Sequence, residues 1–399
     1  MKRVAIVGAG LTGTITALCL SEAGVAVDLY DRHDAPLLGA SGTNEGKIHL
    51  GYVYAMDPTL QTAETMLLGA NSFRTVLSRW LKASVFDSHI SDPFLYAVPN
   101  SSMLSVEAIR AHFAKVSEHA RNLAPMAMTS RHSRPREVPR AELTEMFDPD
   151  QIATCFETDE VAIDPLAVRA GLGVALNAAP RLTQRYRTSI SEIQEGQTGY
   201  HLTVNCEGLT FTERYDAVVN ASWHQRLKLD ASFGLTAARA AIHRYKCGLR
   251  TTDIEIAKHL PPVTFIVGEY GDTVSYGGTG FVSWYPSGLL SQETGLHPTL
   301  DDIQLTPEQN NRLIATTLQN LHRFMPGAGK ALTSDPNKWE VVGGYISAWG
   351  DKGIEHSDSE LHDRYDVGVY STGNYHSVDT GKYTLAPLFA EETAARILA

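Results

Sequence analysis

Three glycines near the start of the chain have the spacing of a turn that binds a nucleotide. The stretch that contains them reads Gly8-Ala9-Gly10-Leu11-Thr12-Gly13. In such a turn the first glycine allows a tight bend, the second lets the backbone approach a pyrophosphate, and the third lets a helix pack closely on a strand. Asp31, about 20 residues further on, would accept hydrogen bonds from ribose hydroxyls. The alternative is a glycine-rich turn without a ligand.

The segment after the second predicted strand favours FAD over NAD as the nucleotide. Residues 39–51 read Gly-Ala-Ser-Gly-Thr-Asn-Glu-Gly-Lys-Ile-His-Leu-Gly, which is small and polar. A loop of this kind can wrap around a pyrophosphate and reach an isoalloxazine ring. An NAD-dependent dehydrogenase would usually continue directly with further βα units. The sequence therefore predicts FAD, which we expect to be bound noncovalently.

His49, in this segment, is the candidate catalytic base. Oxidising an alcohol to a ketone as hydride leaves requires removal of the hydroxyl proton, and a neutral imidazole suits that task near neutral pH. Two alternatives stay open for this residue. It could be a histidine hydrogen-bonded within a buried loop, or the attachment point of a covalently bound flavin.

A βαβ unit is needed to position these groups. Residues 3–7 form the short apolar run of a strand buried on both faces, residues 11–20 have helical apolar spacing, and residues 25–30 predict a second strand. The remaining predicted elements, in chain order, are a helix at 59–81, a helix that begins at Asp164-Pro165, strands at 188–193, 201–206 and 217–220, a β-rich block at 238–285, a helix at 306–324, a strand at 367–371 and a helix at 385–398.

The composition excludes several classes of protein. Of the 399 residues, 43% are hydrophobic and 20% are charged, as in ordinary globular proteins. A net charge of -11 argues against a nucleic-acid partner. Because the four cysteines include no CxxC pair, neither disulfides nor a zinc site are indicated. The sequence contains no run of 18 apolar residues, so it predicts no membrane span. We expect a cytoplasmic protein with a small polar substrate and no metal; the oligomeric state stays open.

Several motifs together resemble the D-amino-acid oxidase superfamily of flavoproteins. Ser41, Asn44 and Gly46 match its second FAD-contact segment. The element Ile48-His49-Leu50-Gly51 is similar to one in the branch that contains 2-hydroxyglutarate dehydrogenases and flavin-dependent glycerol-3-phosphate dehydrogenases. The resemblance implies an FAD-binding domain over roughly half the chain.

Later segments resemble the same superfamily. They are 160–165, 217–221, 371–373 and 381–387, and residues 374–380 have no counterpart that we can place. Ser222-Trp223 stands where the family usually continues with glycine. The cofactor contacts predicted from the motifs and the resemblance are Gly8, Gly10, Leu11, Thr12, Gly13, Asp31, Arg32, Ser41, Asn44, Glu45, Gly46, Lys47, Ile190, Ala221, Gly373, Gly381, Lys382, Tyr383 and Thr384.

Two further groups of residues are candidates for charge chemistry. Reduction puts negative charge on the flavin, which Lys382 and the N-terminus of the last helix would stabilise; a solvated loop lysine is the alternative. In the β-rich block, a row of basic residues could bind an anionic substrate, although a solvated strand face is more common. The substrate contacts that we predict are His49, Tyr285, Tyr345 and Arg244.

The predicted fold class is α/β, with a Rossmann-type FAD-binding domain assembled from three chain segments and a smaller substrate domain with a mixed β-sheet. We expect the FAD-binding domain at 1–85, 150–235 and 337–399 and the substrate domain at 86–149 and 236–336. The leading function is oxidation of a small polar secondary alcohol, a hydroxy acid or a sugar derivative, by hydride transfer to flavin N5. The alternatives are an amine or amino-acid oxidase and a flavin-binding protein without redox turnover.

Overall fold

The computed structural model of this protein describes residues 2–123 and 135–399. Residues 124–134, within the predicted substrate-domain range 86–149, lie outside the described part. Helices combine with antiparallel and mixed sheets, so the predicted α/β class is confirmed. No helix of the described part is long and apolar enough to cross a membrane.

The elements alternate between strands and helices over most of the chain. The strands are β1 (Arg3–Val7), β2 (Ala26–Tyr30), β3 (Lys47–Ile48), β4 (Leu95–Pro99), β5 (Arg136–Glu137), β6 (Ile152–Glu157), β7 (Val161–Ala162), β8 (Leu182–Arg185), β9 (Thr188–Gly196), β10 (Gly199–Cys206), β11 (Leu209–Tyr215), β12 (Ala217–Asn220), β13 (Ala241–Thr251), β14 (Val263–Phe265), β15 (Gly271–Ser275), β16 (Gly280–Trp284), β17 (Leu289–Thr294), β18 (Glu340–Trp349), β19 (Gly368–Thr372) and β20 (Tyr375–Asp379). The α-helices are α1 (Leu11–Glu22), α2 (Gln61–Leu77), α3 (Ala83–Ser88), α4 (Val106–Leu123), α5 (Arg140–Met146), α6 (Pro165–Ala178), α7 (Arg226–Ser232), α8 (Ile254–Ala257), α9 (Tyr285–Gly288), α10 (Pro307–Phe324), α11 (Gly329–Leu332) and α12 (Ala386–Leu398).

The central sheet has the strand order β19-β20-β12-β1-β2-β8. Its strands run parallel, except that β19 pairs antiparallel with β20. The carboxyl ends of β1, β2, β12 and β20 therefore share one edge, which is where open α/β sheets bind their ligands. The predicted strands at 3–7 and 217–220 and the predicted last helix are confirmed. Strand β20 had no predicted counterpart.

Helix α1 lies in the middle of the fold. Every residue from Leu11 to Ser21 is buried, and the helix packs against β1, α6 and α12. Gly8 has a φ of +103°, which favours glycine, and a Cβ on Gly13 would lie 1.9 Å from the Gly8 carbonyl oxygen. The first and third glycines of the motif thus have the structural roles that the sequence predicts for them.

A second, larger sheet covers the carboxyl edge of the central one. Its order is β17-β13-β16-β15-β14-β4-β6-β5, and β18 pairs with the free side of β13. Strands β6 and β18 belong to this sheet although the predicted boundaries assign their residues to the FAD-binding domain. The division into two domains stays a proposal, and sheet membership would move both segments into the substrate domain.

We expect Gly13→Ala to lower the free energy of unfolding by roughly 1–3 kcal/mol, because a methyl group has no room against the Gly8 carbonyl and α1 must move away from β1. The matched control is Gly173→Ala in α6, where an added Cβ meets no atom within 4 Å. That change should be neutral or stabilising by up to about 1 kcal/mol. Urea denaturation of both variants measures the difference, and equal stabilities would contradict the close approach.

Candidate active site

A cavity follows the carboxyl edge of the central sheet. Its walls come from the segments after β1, β2, β12 and β20, from the loop at 39–49 and from β18. Most of the predicted site residues meet here although they are distant in the sequence. Those that line the cavity are Gly8, Gly10, Leu11, Thr12, Asp31, Arg32, Ser41, Asn44, Glu45, Lys47, His49, Ile190, Ala221, Tyr345, Gly381, Lys382 and Tyr383.

The N-terminus of α1 opens into this cavity. Its N-cap is Gly10, which has no side chain to cover the helix end. The Leu11 N–H donates to the Ser41 hydroxyl at 2.9 Å, and the hydroxyls of Thr12 and Thr380 are 2.8 Å apart. The glycine turn, the loop at 39–49 and the segment after β20 therefore meet at one helix N-terminus, which suits a pyrophosphate.

Asp31 connects the glycine turn to the end of β2. Its carboxylate accepts hydrogen bonds from the Ala9 N–H at 2.7 Å and the His33 N–H at 2.9 Å. Each oxygen keeps a lone pair with which it could accept a bond from a ribose hydroxyl. Arg32 also lines the cavity, but its guanidinium lies 3.4 Å from the carboxylates of Asp301 and Asp302. Asp31 is therefore better placed than Arg32 to bind the ribose of the cofactor, because Arg32 is already close to two carboxylates.

Six predicted site residues do not line the cavity: Gly13, Gly46, Gly373, Thr384, Tyr285 and Arg244. Gly373 lies in the turn between β19 and β20. Because β20 and β1 both run parallel to β12, this turn is at the edge of the sheet opposite to the glycine turn, and the structure does not bring Gly373 to the cavity. Gly46 has a packing role, since a Cβ there would lie 1.9 Å from the Ile163 carbonyl oxygen.

His49 is buried at the end of the cavity near β20. Its backbone N–H donates to the Thr384 hydroxyl at 2.9 Å, and its Nδ1 lies 3.4 Å from the carboxylate of Glu160. Glu160 is fully buried, accepts from the Leu50 N–H at 2.6 Å and also accepts from the Tyr96 hydroxyl. These bonds fix the carboxylate beside the imidazole. The 3.4 Å approach of Nδ1 to Glu160 is not a well-formed hydrogen bond, and Nδ1 has no other partner in the described part of the chain.

The charges of this pair follow from burial and mutual attraction. Burial lowers the pKa of His49 below its ordinary value, and Glu160 opposes this only in part. Burial acts to raise the pKa of Glu160, but His49 and Lys47 outweigh it and hold that pKa below its ordinary value. Near neutral pH the site therefore has a neutral imidazole beside a carboxylate, which is the arrangement of an oriented general base.

Lys47 does not face the cofactor as a free cation. Its Nζ lies 3.0 Å from the Asp272 carboxylate, donates to the Thr264 hydroxyl and sits 4.2 Å from the centre of the Phe94 ring. The pair joins the loop at 39–49 to strands β14 and β15 of the larger sheet. Its observed contacts indicate a structural role in addition to any contact with FAD.

Lys382 belongs to a group of cations at the same end of the cavity. Burial together with the nearby Arg364 and Arg244 lowers the pKa of Lys382 to about 7. Arg244 is 4% exposed, so the alternative of a solvated strand face does not hold for this residue. Its Nη1 donates to the Tyr285 hydroxyl at 2.9 Å. Arg244 and Tyr285, two of the four predicted substrate contacts, thus lie behind the cavity wall, near Lys382.

The replacement of glycine by Trp223 leaves the local backbone unusual. Trp223 has a φ of +57°, in the left-handed region where the family's glycine would be unstrained. Its indole Nε1 donates to the Tyr345 carbonyl at 2.7 Å, and Tyr345 donates its hydroxyl to the Leu300 carbonyl at 2.7 Å. Tyr345 therefore helps to build the cavity wall, and its hydroxyl is already engaged.

The sequence pattern did not reveal the roles of Glu160 and Arg364, whereas Lys246 belongs to the row of basic residues expected to bind an anion. The partners of Glu160 and Arg364 are distant in the chain, and only an acid directly before the apolar residues of β7 hinted that Glu160 is buried. Within the described ranges, no three His, Cys, Asp or Glu side chains are placed to hold a metal ion.

Comparison with known sequences gives two findings. The family model DAO, described as "FAD dependent oxidoreductase", matches residues 3–396 of the chain. A bifunctional protein of tRNA 5-methylaminomethyl-2-thiouridine biosynthesis from Chromohalobacter salexigens is 37% identical over 76 residues. That match covers 19% of this chain and only 11% of the curated protein.

Solved structures are similar over nearly the whole chain. Glycine oxidase from Geobacillus kaustophilus superposes with a TM-score of 0.69 at 14% identity, covering 99% of this chain and 95% of that one. L-alpha-glycerophosphate oxidase from Mycoplasma pneumoniae, with FAD bound, gives a TM-score of 0.67 at 16% identity, covering 100% and 96%. At such identities the likeness concerns the fold.

We expect Asp272→Asn to destabilise the protein at pH 7 by about 3–5 kcal/mol, because it leaves Lys47 buried without its counter-charge. Burial acts to raise the pKa of Asp272, but Lys47 and Lys246 outweigh it and lower that pKa below its ordinary value. A depressed carboxylate pKa contributes stability above the unfolded value, and this contribution is lost as the pH falls. Because that pKa is about 2 in the folded protein, the difference between wild type and variant should shrink progressively as the pH falls from about 5 towards 2.

Urea unfolding at several pH values tests this expectation. The control is Asp253→Asn, which alters a more exposed pair with Lys338 at 3.2 Å and keeps a residue that can cap α8. It should leave the free energy of unfolding nearly unchanged, because solvent screens this pair. A difference for Asp272→Asn that stays constant with pH would show that the ion pair does not cause the loss.

Proposed function

Because the chain belongs to the DAO family of FAD-dependent oxidoreductases, we propose that it oxidises a small polar secondary alcohol, a hydroxy acid or a sugar derivative. The observation that carries this proposal is the His49–Glu160 pair at the end of the cavity. An alcohol must lose its hydroxyl proton when its C–H bond is oxidised, and this pair can take that proton. An amine can lose its proton to solvent and needs no such base.

The walls of the cavity fit FAD as the cofactor. The open N-terminus of α1 suits the pyrophosphate, Asp31 suits a ribose, and the segment 380–383 lies beside His49 and Lys47 along the same cavity. When bound, FAD supplies the two-electron acceptor, which takes the substrate hydride at N5. We further propose that FAD is held noncovalently.

His49 and Glu160 then divide the proton chemistry between them. Glu160 is the acceptor beside Nδ1, at 3.4 Å, and Nδ1 makes no hydrogen bond elsewhere in the described part of the chain. The proposal therefore assigns the proton to Nδ1, which leaves the lone pair on Nε2 available. The substrate hydroxyl proton moves to Nε2, and the carboxylate of Glu160 stabilises the imidazolium that forms. Lys382 contributes positive charge at the same end of the cavity, where the family resemblance places the flavin ring.

An amine or amino-acid oxidase is the second candidate. Its support is the likeness in fold to glycine oxidase and to an iminodiacetate oxidase from Chelativorans, which has a TM-score of 0.67 at 13% identity. The third hypothesis, a flavin-binding protein without redox turnover, is disfavoured because the matching family is one of oxidoreductases.

Acid precipitation of the purified protein tests how the flavin is held. We expect the yellow colour to be released completely into the supernatant, because Glu160 and Thr384 engage His49 within the wall. Absorption spectra of supernatant and pellet measure this. Colour that stays in the pellet would mean a covalent bond and would remove His49 from the proposed role as a base if the bond is formed there.

His49→Asn should lower the rate of anaerobic flavin bleaching by secondary alcohols by about 10²–10⁴-fold. Glu160→Gln should lower it less, and it should also move the acid limb of the pH profile to lower pH. The reason is that Glu160 raises the pKa of His49, so its loss lets that pKa fall further. Activity needs neutral His49 and is lost as the pH drops through this pKa.

The matched control is His112→Asn on α4, since His112 is also buried but hydrogen-bonds the Gly51 carbonyl and does not line the cavity. Stopped-flow measurement of flavin bleaching at a series of pH values gives both the rates and the position of the acid limb of the pH profile. Wild-type rates with alcohols in His49→Asn would refute the base. Bleaching by amines alone would favour the second candidate.

A further inference from the structure

Four cationic side chains gather beside His49 without acidic partners. They are Arg244 and Lys246 on β13, Arg364 before β19, and Lys382 after β20. None of them has a carboxylate oxygen within 4.0 Å among residues 2–123 and 135–399.

Neighbouring cations are paired in the ordinary way. Lys47 lies 3.0 Å from Asp272, and Arg226 lies 2.8 Å from Asp379. Burying a cation without its counter-charge is costly, so an unpaired group of four calls for a ligand.

Polar atoms around the group are also left without partners. The Nε of Arg244 and the hydroxyls of Tyr54 and Tyr383 are buried and make no hydrogen bond in the described part of the chain. Arg244 is 4% exposed, as is Arg364. Each buried donor without a partner costs about 1–3 kcal/mol, which a ligand with acceptor oxygens would recover. Together these three atoms can donate hydrogen bonds to the oxygen atoms of a ligand.

The group is contiguous with the substrate end of the cavity. Lys382 lines the cavity, and its Nζ lies 5.9 Å from the centre of the Tyr54 ring, which in turn meets the His49 ring edge-on at 5.6 Å. Lys246 Nζ lies 5.2 Å from the centre of the Tyr285 ring, whose hydroxyl accepts from Arg244. An anion bound here would place the rest of its molecule next to His49.

The number of unpaired cations indicates the charge of the ligand. Asp272 and Glu45 both attract Lys246, and Glu45 also attracts Lys382. Glu45 offsets one of the four charges, whereas the charge of Asp272 is matched by Lys47. Lys382 is the residue that we assign to the cofactor, which accounts for a second. Asp272 and Asp379 are already engaged by Lys47 and Arg226. Two positive charges then stay uncompensated, whereas a single carboxylate would need only one arginine.

We infer that the substrate is a dianion, with Arg244, Lys246 and Arg364 binding its two negative charges. A dicarboxylate and a phosphate monoester share this chemistry. The inference rests on the proposed alcohol oxidation, because it names the substrate class of the same site. The pKa of Arg364 is lowered to about 10 by burial and by repulsion from Arg244, and the attraction of a bound dianion would offset both effects.

Binding of unreactive anions to the FAD-loaded enzyme tests the inference. Succinate and inorganic phosphate are compared with butyrate by calorimetry and by the shift of the unfolding temperature. We expect at least one dianion to bind tenfold or more tightly than butyrate. Preference for succinate would identify a dicarboxylate site, and preference for phosphate a phosphate monoester site. Equal binding of all three would overturn the inference.

Arg364→Gln should reduce binding of the preferred dianion about tenfold or more and leave butyrate nearly unchanged. The matched control is Arg239→Gln, because Arg239 already pairs with Glu360 at 3.1 Å and with Asp366. That variant should keep the preference. Retained preference in Arg364→Gln would contradict the assignment.

Lys246→Met supplies a readout that does not depend on any ligand. Removing an unpaired, partly buried cation should raise the unfolding temperature of the anion-free enzyme, whereas loss of an ordinary ion pair would lower it. A lowered temperature would contradict the inference.

The two experiments distinguish a failure of the proposed alcohol oxidation from a failure of the proposed dianion site. If a dianion binds as expected but secondary alcohols do not bleach the flavin, the alcohol oxidation is refuted and the anion site stands. If alcohols bleach the flavin and butyrate binds as well as either dianion, the substrate class is refuted alone.

Discussion

The contact between the Gly8 carbonyl and the backbone of Gly13 is the constraint on which the site depends. The oxygen occupies the position that a side chain at residue 13 would need, so α1 can lie directly against β1 only with glycine there. This approach aims the end of α1 at the carboxyl edge of the sheet. Because α1 is buried on all sides, any shift of it would be transmitted to β1, α6 and α12.

Glu160 is a second constraint, because it connects the loop that carries His49 to the larger sheet. It accepts from the loop that carries His49 and from Tyr96 on β4 of the larger sheet, so both sides of the active site depend on one buried carboxylate. Full burial of that carboxylate is tolerated because it accepts from the Leu50 N–H and the Tyr96 hydroxyl and is attracted by the nearby Lys47. Burial keeps His49 neutral, and Glu160 lies 3.4 Å from its Nδ1, so one buried carboxylate contributes both to the interface and to the surroundings of the base.

The parts of the fold that the sequence predicts well are those governed by local pattern. Strands β1 and β12 are continuous apolar runs between turn residues, and α12 begins with a proline in its first turn, as expected. Strand β20 escaped prediction because its residues Tyr375, Ser377 and Asp379 are polar. They are buried nonetheless, since Asp230 and Arg226 satisfy their hydroxyls and carboxylate. No local pattern reveals partners about 150 residues away.

The candidate site was predictable to a similar extent. The glycine turn, Asp31 and His49 are recognisable from residue type and spacing, and the cavity brings them together. Gly373 lies away from the cavity because β20, which the sequence did not predict, carries the chain from the opposite edge of the sheet before it reaches the cavity. The cation group was only partly anticipated, because burial of Arg244 and the approach of Arg364 depend on how two distant segments pack.

The order of the central sheet has a consequence for biosynthesis. A growing chain that has reached β18 already contains the glycine turn and His49, but β12 is then an edge strand and α1 has no α12 to cover it. Such an edge, with an apolar helix beside it, can pair with other chains. The segment that closes the cavity at Lys382 is also the one that protects the sheet. Cofactor capture and protection from aggregation should therefore be completed in the same late step of synthesis, and chains that stall before it would be the ones that need a chaperone.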